Sequence, residues 1–148
     1  MDKCKFDLLS YGGDDEPLAS GFIKINGKQL TTNKGRGITL VKVTRECGVA
    51  EIKHFDTHRS FQEGVDMRDY LVSLPKNTRI AGIAYDEYIN KLRDARSTLT
   101  DLGIDLTKSG WRTGLCFTLI KGDPQLTRQK HSDGGKGPAA LLTSMKIS

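Results

Sequence analysis

The stretch that decides the fold is Thr78–Glu87, which reads TRIAGIAYDE. All but its last two residues form a nearly continuous apolar run, the pattern of a short strand that is buried on both faces. Asp86 and Glu87 follow at once, so two carboxylates stand where this strand ends. Asp is a good N-cap, and apolar residues recur at three- and four-residue spacing over 89–102. The sequence therefore predicts a helix that begins at Asp86 and ends at Gly103.

A second short piece, Gly110–Thr113, reads GWRT and opens the next apolar run. Trp111–Ile120 is predicted to be a strand with Leu115, Phe117 and Leu119 on one face. Two elements that are joined by one helix tend to lie side by side. We therefore expect the acid pair, Trp111 and Arg112 to share one rim of the domain.

These side chains suit a site for a small polyhydroxylated ligand. An indole covers the C–H face of a sugar ring, and a carboxylate with a guanidinium fixes neighbouring hydroxyls as acceptor and donor. A structural interpretation stands beside this one. Asp86 and Glu87 would then only cap a helix and complement its dipole, with Trp111 in the core and Arg112 solvated at a strand end.

The remaining elements complete an α+β protein that we interpret as one domain over residues 1–148, with two main helices. Asn26-Gly27 is the turn of a predicted hairpin, and Ser60 with Glu63 has the spacing of a capping box. Residues 121–138 are predicted to be a long polar loop. The other predictions are strands at Cys4–Tyr11, Ile38–Val43, Val49–Phe55 and Ala139–Ile147, and a helix after Ser60 that stops before Pro75.

The composition is that of an ordinary globular protein: 148 residues, 36% hydrophobic and 28% charged, with a net charge of +5. The positive excess is mild and forms no long run, so it indicates solubility, and we expect no nucleic-acid binding. No segment approaches the roughly 18 consecutive apolar residues of a membrane-spanning helix, so no membrane insertion is expected. The start, Met1–Lys5, is followed by no apolar signal region. The protein is therefore either cytoplasmic or secreted after removal of a signal that this sequence lacks.

Three cysteines, Cys4, Cys47 and Cys116, fit no metal-binding spacing. Cys116 lies in an apolar run and is interpreted as a buried thiol or as one end of a bridge to Cys4. Cys47 lies in a turn, where it is either a free thiol or a link to a second chain.

No motif for enzymatic chemistry is present in the sequence. His54, His58 and His131 lie at strand ends or in loops, and no Gly-x-Ser-x-Gly elbow precedes a helix. Metal-binding motifs of the His-Glu-x-x-His or Cys-x-x-Cys type are lacking. Gly35-Arg36-Gly37 precedes a strand, whereas a phosphate loop precedes a helix. We expect a protein that is not an enzyme.

Seven pieces in order make the chain resemble the ILEI/PANDER lectin-like domain family. The resemblance spans nearly the whole chain and is closest in look to the stem, carbohydrate-binding domain of protein O-linked-mannose N-acetylglucosaminyltransferase. The pieces are residues 20–27, Gly35–Ile38, Phe55–Thr57, Tyr85–Glu87, a helix ending Asp101–Gly103, Gly110–Arg112 and Gly137–Ala139.

The resemblance implies a compact β-sandwich-like fold with flanking helices and no catalysis by the domain. It also implies that Asp86 and Arg112 are the residues that hold a sugar. Trp111 favours the lectin branch over the signalling branch, where this position is commonly Phe. Glu87 becomes a supporting residue.

The predicted function is a lectin for a terminal, β-linked galactose or N-acetylglucosamine type sugar, secreted and paired as a homodimer through Cys47 or Cys4. No cofactor is required. Ca²⁺ at Asp86 and Glu87 is the alternative, although two acids fall short of a full oxygen shell. The alternative function is a secreted cytokine-like factor that binds a protein receptor.

Overall fold

The computed structural model describes residues 3–146, so Met1, Asp2 and the predicted end of the last strand at Ile147 lie outside the described residues. Within that range the chain forms two antiparallel sheets and two α-helices. The strands are β1 Lys3–Ser10, β2 Phe22–Ile25, β3 Lys28–Thr32, β4 Gly37–Val43, β5 Val49–Phe55, β6 Arg79–Tyr85, β7 Gly114–Ile120, β8 Arg128–Ser132 and β9 Ala139–Lys146. The helices are α1 Phe61–Ser73 and α2 Arg96–Asp101.

The five-stranded sheet, in the order β5-β4-β6-β7-β8, forms the middle layer of the molecule. One of its faces packs on the four-stranded sheet, in the order β3-β2-β1-β9, and the other packs on the helices and their connecting turns. This arrangement confirms the α+β, sandwich-like fold with two helices at its flank.

The central strand β6 confirms the interpretation of the apolar run. Ile80 and Ala84 belong to the helix-side core, whereas Ala81 and Ile83 belong to the core between the sheets. At Gly82 the ring of Phe117 occupies the space of a side chain, because a Cβ there would lie 2.3 Å from the ring. The strand is therefore buried on both faces, and any larger residue at position 82 would displace a core aromatic.

Of two local predictions, the hairpin turn at Asn26-Gly27 is confirmed and the capping box at Ser60 is not. Asn26 and Gly27 join β2 to β3 with φ of 52° and 80°, as the hairpin signal predicts. The capping box at Ser60 is wrong, because the Ser60 side chain makes no cap hydrogen bond. Glu63 instead accepts a hydrogen bond of 2.8 Å from the backbone N–H of Asp56, at the end of β5.

The predicted helix from Asp86 is also wrong over its first half, residues 86–92. Asp86 has a φ of 63° and forms an isolated bridge to Gly12, and regular helix begins only with a 3₁₀ turn at Arg93–Ala95 that continues into α2. Tertiary bonds to the β1–β2 loop outweigh the helical pattern there. The apolar spacing is still used, because Leu92, Ala95 and Leu99 are buried against the sheet.

Two other boundaries are corrected. Trp111 to Thr113 form a turn, and β7 starts at Gly114. The predicted loop over 121–138 contains β8, whose polar side chains fit an edge strand that pairs only with β7.

Cys4 and Cys47 form a disulfide within the chain. The predicted Cys4–Cys116 bridge is therefore wrong, and neither Cys47 nor Cys4 is free to link two chains as predicted. Cys116 is a free, buried thiol. The bridge ties β1 to the turn between β4 and β5 and so joins the two sheets.

Candidate functional site

The site lies where β6 ends, β7 begins and the loop after β1 crosses between them. The Asp86 backbone N–H donates to the carbonyl of Tyr11 at 3.0 Å, and the Asp86 carbonyl accepts from the N–H of Gly13 at 2.8 Å. These two bonds fasten the end of the buried strand to the β1–β2 loop. The Asp86 backbone is held at a fixed place on the rim as a result.

Arg112 is positioned by the tight turn before β7. The Gly110 N–H donates to Thr113 Oγ1 at 3.0 Å, and Arg112 itself has a φ of 58°. Residues other than glycine rarely adopt this left-handed conformation, and it costs on the order of 1 kcal/mol or more. Asp86 adopts it as well, so both predicted ligand-holding residues have costly backbone conformations, which cluster at functional sites in proteins.

The two side chains converge above Gly13. A Cβ at Gly13 would lie 2.3 Å from Asp86 Oδ1 and 2.8 Å from Arg112 Cδ. The bare backbone of this glycine is the floor beneath the Asp86 carboxylate and the aliphatic part of the Arg112 side chain. The structure thus brings Asp86 and Arg112 together, as the placement of the two sequence pieces predicts.

The guanidinium of Arg112 is only partly used within the protein. Its Nη1 donates to Asp14 Oδ1 at 2.9 Å, while its Nε is buried without a hydrogen-bond partner among the described residues. The hydrogen bond that Arg112 donates to Asp14 raises the pKa of Arg112, with smaller contributions from the negative charges of Asp86 and Glu87. Nη2 makes no hydrogen bond to a described residue, so it is the donor of this oriented guanidinium that remains for an outside acceptor.

Glu87 lies beneath this surface and is only 1% exposed. Its Oε1 lies 2.7 Å from Nδ1 of His58 and accepts from the Asn90 N–H, and its Oε2 accepts from the Ile89 N–H. Both oxygens are therefore occupied by protein donors. Glu87 acts on the rim through His58 rather than by presenting its own carboxylate.

Trp111 stands at the edge of the site with 56% of its surface exposed. The His58 ring centre lies 5.6 Å from the indole ring, and the Arg112 guanidinium lies 5.3 Å from it. The indole is thus supported on one side and open to solvent elsewhere. The structural interpretation of this position requires a core residue, and Trp111 is not one.

A second acid–arginine pair lies next to the site. Arg36 donates to Asp56 through Nε at 3.1 Å and through Nη2 at 3.0 Å. The Asp56 carboxylate also accepts from the N–H groups of His58 and Arg59. This pair fixes the turn that carries His58 below the indole.

The sequence did not single out Gly13, Asp14 or His58 as part of this site. Residues 12–17 have the composition of a polar turn, and nothing local indicates which rim they join. Asp15, which is 3% exposed, does the joining, because its carboxylate accepts from the N–H groups of Gly12 and Gly137. The available signal was an acid that links two glycine-rich loops. Its role can be recognised only when the fold is known, because the second loop is far away in sequence.

The described residues hold no cluster for a metal ion, and the hydroxyl of Thr39, which lies 3.1 Å from His54 Nδ1, belongs to a buried residue. Across residues 3–146 no group of three or more His, Cys, Asp or Glu side chains is placed to hold a metal ion. No hydroxyl or thiol of this range hydrogen-bonds to His58. Likewise, no helix in the described range is long and apolar enough to cross a membrane.

Fold and site together define a sandwich-like α+β domain with an acid, an arginine and an exposed indole at one rim. The model of the family described as interleukin-like EMT inducer, ILEI, matches residues 36–123, more than half of the chain. The chain belongs to the ILEI family. No match was found among curated proteins.

The range that the family model matches includes Asp86, Glu87, Trp111 and Arg112. Membership indicates a cytokine-like or lectin-like domain in a family that is not known for enzymes. The family and the intrachain disulfide indicate an extracellular protein.

Proposed function

We propose that the rim site binds a terminal, β-linked sugar of the galactose or N-acetylglucosamine type, and that the protein is a lectin. One observation carries this proposal: the Asp86 carboxylate and the Arg112 side chain both lie against Gly13, and neither the carboxylate nor Arg112 Nη2 hydrogen-bonds to a described residue. The Asp86 carboxylate has no hydrogen bond to any described residue, although its backbone is held by two. An acceptor and a donor that lie side by side match two neighbouring hydroxyls.

The indole supplies the second half of the recognition. A pyranose ring has an apolar face of C–H bonds, and burial of that face on Trp111 gains contact area that hydroxyl bonding alone does not provide. His58 and Arg112 support the indole, so little of its freedom is lost on binding. The Arg112 guanidinium already lies 5.3 Å from the indole ring, so we assign the sugar ring to the solvent-exposed surface of Trp111, with its hydroxyls directed towards Asp86 and Arg112.

The site is open and small, so single-site affinity will be modest and a pair of sites will raise avidity. A homodimer remains our expectation, formed without an interchain disulfide because Cys4 and Cys47 pair within the chain. We also infer that sugar binding needs no cation, since Glu87 is occupied by protein donors and Asp14 is paired with Arg112.

A glycan array, probed with and without EDTA, tests the proposal. The single tryptophan of the chain then serves as a direct reporter, because a sugar that covers Trp111 will change its fluorescence. Asp86→Ala and Arg112→Ala should each weaken binding at least about tenfold, the equivalent of one charge-assisted hydrogen bond. Arg68→Ala and Asp69→Ala remove an exposed acid–arginine pair on α1 and are the matched controls. Parent-like binding by both rim variants, or an array without any ligand, would overturn the proposal.

A second candidate function, a cytokine-like factor that binds a protein receptor, is favoured by the family description. The outer face of the four-stranded sheet exposes Leu142 to 78%, which suits a protein contact. Cell binding that persists in Asp86→Ala and in excess free sugar, and that is lost in Leu142→Ser, would select this function over the lectin.

A further inference from the structure

A cationic cleft lies at the end of the sandwich opposite to Asp86. Strand β6 begins at this cleft with Arg79 and ends at the rim site, so roughly 20 Å separates the two at about 3.3 Å per residue. The cleft has a volume of about 420 Å³ and is lined by Arg45, Asn77, Arg79, Ile120, Asp123, Leu126 and Lys146.

Arg79 is the best-positioned cation of the cleft. Its Nε donates to the backbone carbonyl of Lys146 at 3.0 Å, which ties the start of β6 to the end of β9. Neither of its terminal nitrogens hydrogen-bonds to another described residue. A guanidinium that is anchored through Nε and free at both Nη atoms presents the planar fork that binds two oxygens of one anionic group.

Ion pairs among the described residues do not neutralise the positive charge of the cleft. Among residues 3–146, no carboxylate lies within 4.0 Å of a charged nitrogen of Arg45, Arg79 or Lys146. Asp123 is the one acid in the lining, and it makes no ion pair with a described residue. Like charges that are held together without a partner attract anions to the surface.

Further cations extend this field beyond the cleft. Lys3 lies opposite Lys146 in the β1–β9 register, and the stem of Lys76 lies over Gly122. Arg128 lines an adjoining depression that shares Leu126 and Lys146 with the cleft. The mild net charge of +5, which looks dispersed along the sequence, is therefore partly gathered at one end of the folded chain.

We propose that the cationic cleft binds a sulfated polysaccharide. The fork of Arg79 suits a sulfate group, and the flanking lysines continue the contact along a chain of repeated anions. Ile120 and Leu126 offer apolar surface to the C–H bonds of a sugar ring. The cleft has no aromatic residue in its lining, so the base stacking by which proteins hold single-stranded nucleic acid has no counterpart here. The disulfide also indicates an oxidising, extracellular compartment, where sulfated polysaccharides occur.

The test measures binding of the full chain to heparin by titration calorimetry at low and at high salt. We expect binding at low salt that falls steeply as salt rises, because each neutralised sulfate releases counterions. The triple variant Arg45→Gln, Arg79→Gln, Lys146→Gln should lose at least about tenfold in affinity. Asp123→Asn should bind heparin more tightly than the parent, since it removes the one acid of the lining.

Matched controls separate a site from general attraction. The triple variant Lys34→Gln, Lys108→Gln, Lys136→Gln loses the same charge from exposed positions outside the cleft and should bind heparin nearly as well as the parent. Asp86→Ala should also bind heparin normally, which keeps this result independent of the rim site. Equal loss in both triple variants, equal binding of desulfated heparin, or preferred binding of duplex DNA or of anionic phospholipid vesicles would each overturn the proposal.

Discussion

Asp86 and Arg112 stand 26 residues apart in sequence and share both an unusual backbone and a common floor. Their φ values are 63° and 58°, and both side chains lie against the backbone of Gly13. Hydrogen bonds hold each left-handed conformation: bonds to the distant β1–β2 loop for Asp86, and a bond within the Gly110–Thr113 turn for Arg112. Stability elsewhere in the fold thus offsets strain at the rim, and the two charged groups are oriented before any ligand arrives.

Gly13→Ala tests this shared floor. The new methyl group would overlap Asp86 Oδ1 and Arg112 Cδ, so both side chains must move, while the backbone of residue 13 needs no positive φ. We expect at least about a tenfold loss of sugar affinity, as for one lost charge-assisted hydrogen bond, with little change in the free energy of unfolding.

Gly134→Ala is the matched control, because a Cβ there meets its nearest neighbour, the Trp111 carbonyl, at 3.5 Å. Fluorescence titration of Trp111 with the array ligand measures affinity, and urea unfolding measures stability. Retained sugar affinity in Gly13→Ala would show that the position of these two side chains does not govern binding.

Glu87→Gln tests the buried support of the rim. A Gln amide brings two N–H donors into a place where His58, Ile89 and Asn90 all approach the carboxylate with nitrogen atoms. We expect the free energy of unfolding to fall by about 2 kcal/mol, the usual cost of an unsatisfied buried hydrogen bond to a charged group. Glu46→Gln changes an exposed acid and should leave stability unchanged. A Glu87→Gln variant as stable as the parent would contradict the proposed role of this carboxylate.

The strands and the rim could be predicted from sequence because each depends on a short, regular pattern. The run over β6, the Asn26-Gly27 turn and the alternation of Leu115, Phe117 and Leu119 all require only neighbouring residues. The course of the chain after Asp86 could not be predicted in this way. Its capping residue and apolar spacing favour a helix, but bonds to Tyr11 and Gly13, more than 70 positions away in sequence, hold the backbone in another conformation.

The same limit applies to the partners inside the site. Asp14 and His58 reach the rim from loops whose composition indicates only a turn, and the Cys4–Cys47 pairing depends on how the two sheets pack. Three cysteines allow several pairings, and only the distance in the folded chain selects one.

The disulfide should contribute substantially to stability. It closes a segment of 43 residues between the two sheets, for which the chain-entropy model gives about 4 kcal/mol and measurements on other proteins about 2–4 kcal/mol. The double variant Cys4→Ala, Cys47→Ala should lose that amount in urea unfolding. Reduction of the parent should lower its stability to a similar extent, and Cys116→Ala should show the same sensitivity to reductant as the parent. Stability that is insensitive to reduction would contradict this pairing.

The Cys116 thiol should resist alkylation in the native protein. Burial raises its pKa to about 12, so almost none of it is the reactive thiolate near neutral pH. We expect iodoacetamide to label no cysteine in the native chain and one cysteine after unfolding without reductant. Mass spectrometry of the labelled peptides measures both. Labelling of native Cys4 or Cys47 would show that the disulfide had not formed.

Asp56 should make stability depend on pH through the turn that carries His58. Burial acts to raise the pKa of this carboxyl, but the hydrogen bonds and charge of Arg36, with the N–H groups of His58 and Arg59, lower it below the usual 3.8. A carboxyl with a depressed pKa in the folded state adds stability that is complete above the unfolded pKa and is lost as the pH falls through the folded pKa.

The parent should therefore exceed Asp56→Asn in stability at neutral pH, and the difference should shrink as the pH falls below about 4. Because the pair is partly exposed, we expect the difference that Arg36 contributes to be about 1 kcal/mol or less. Arg36→Gln should lose part of this pH-dependent stability relative to the parent. It removes the ion pair and leaves the two backbone hydrogen bonds to Asp56. Urea unfolding of the three proteins at a series of pH values measures the effect, and a difference that grows on acidification would contradict it.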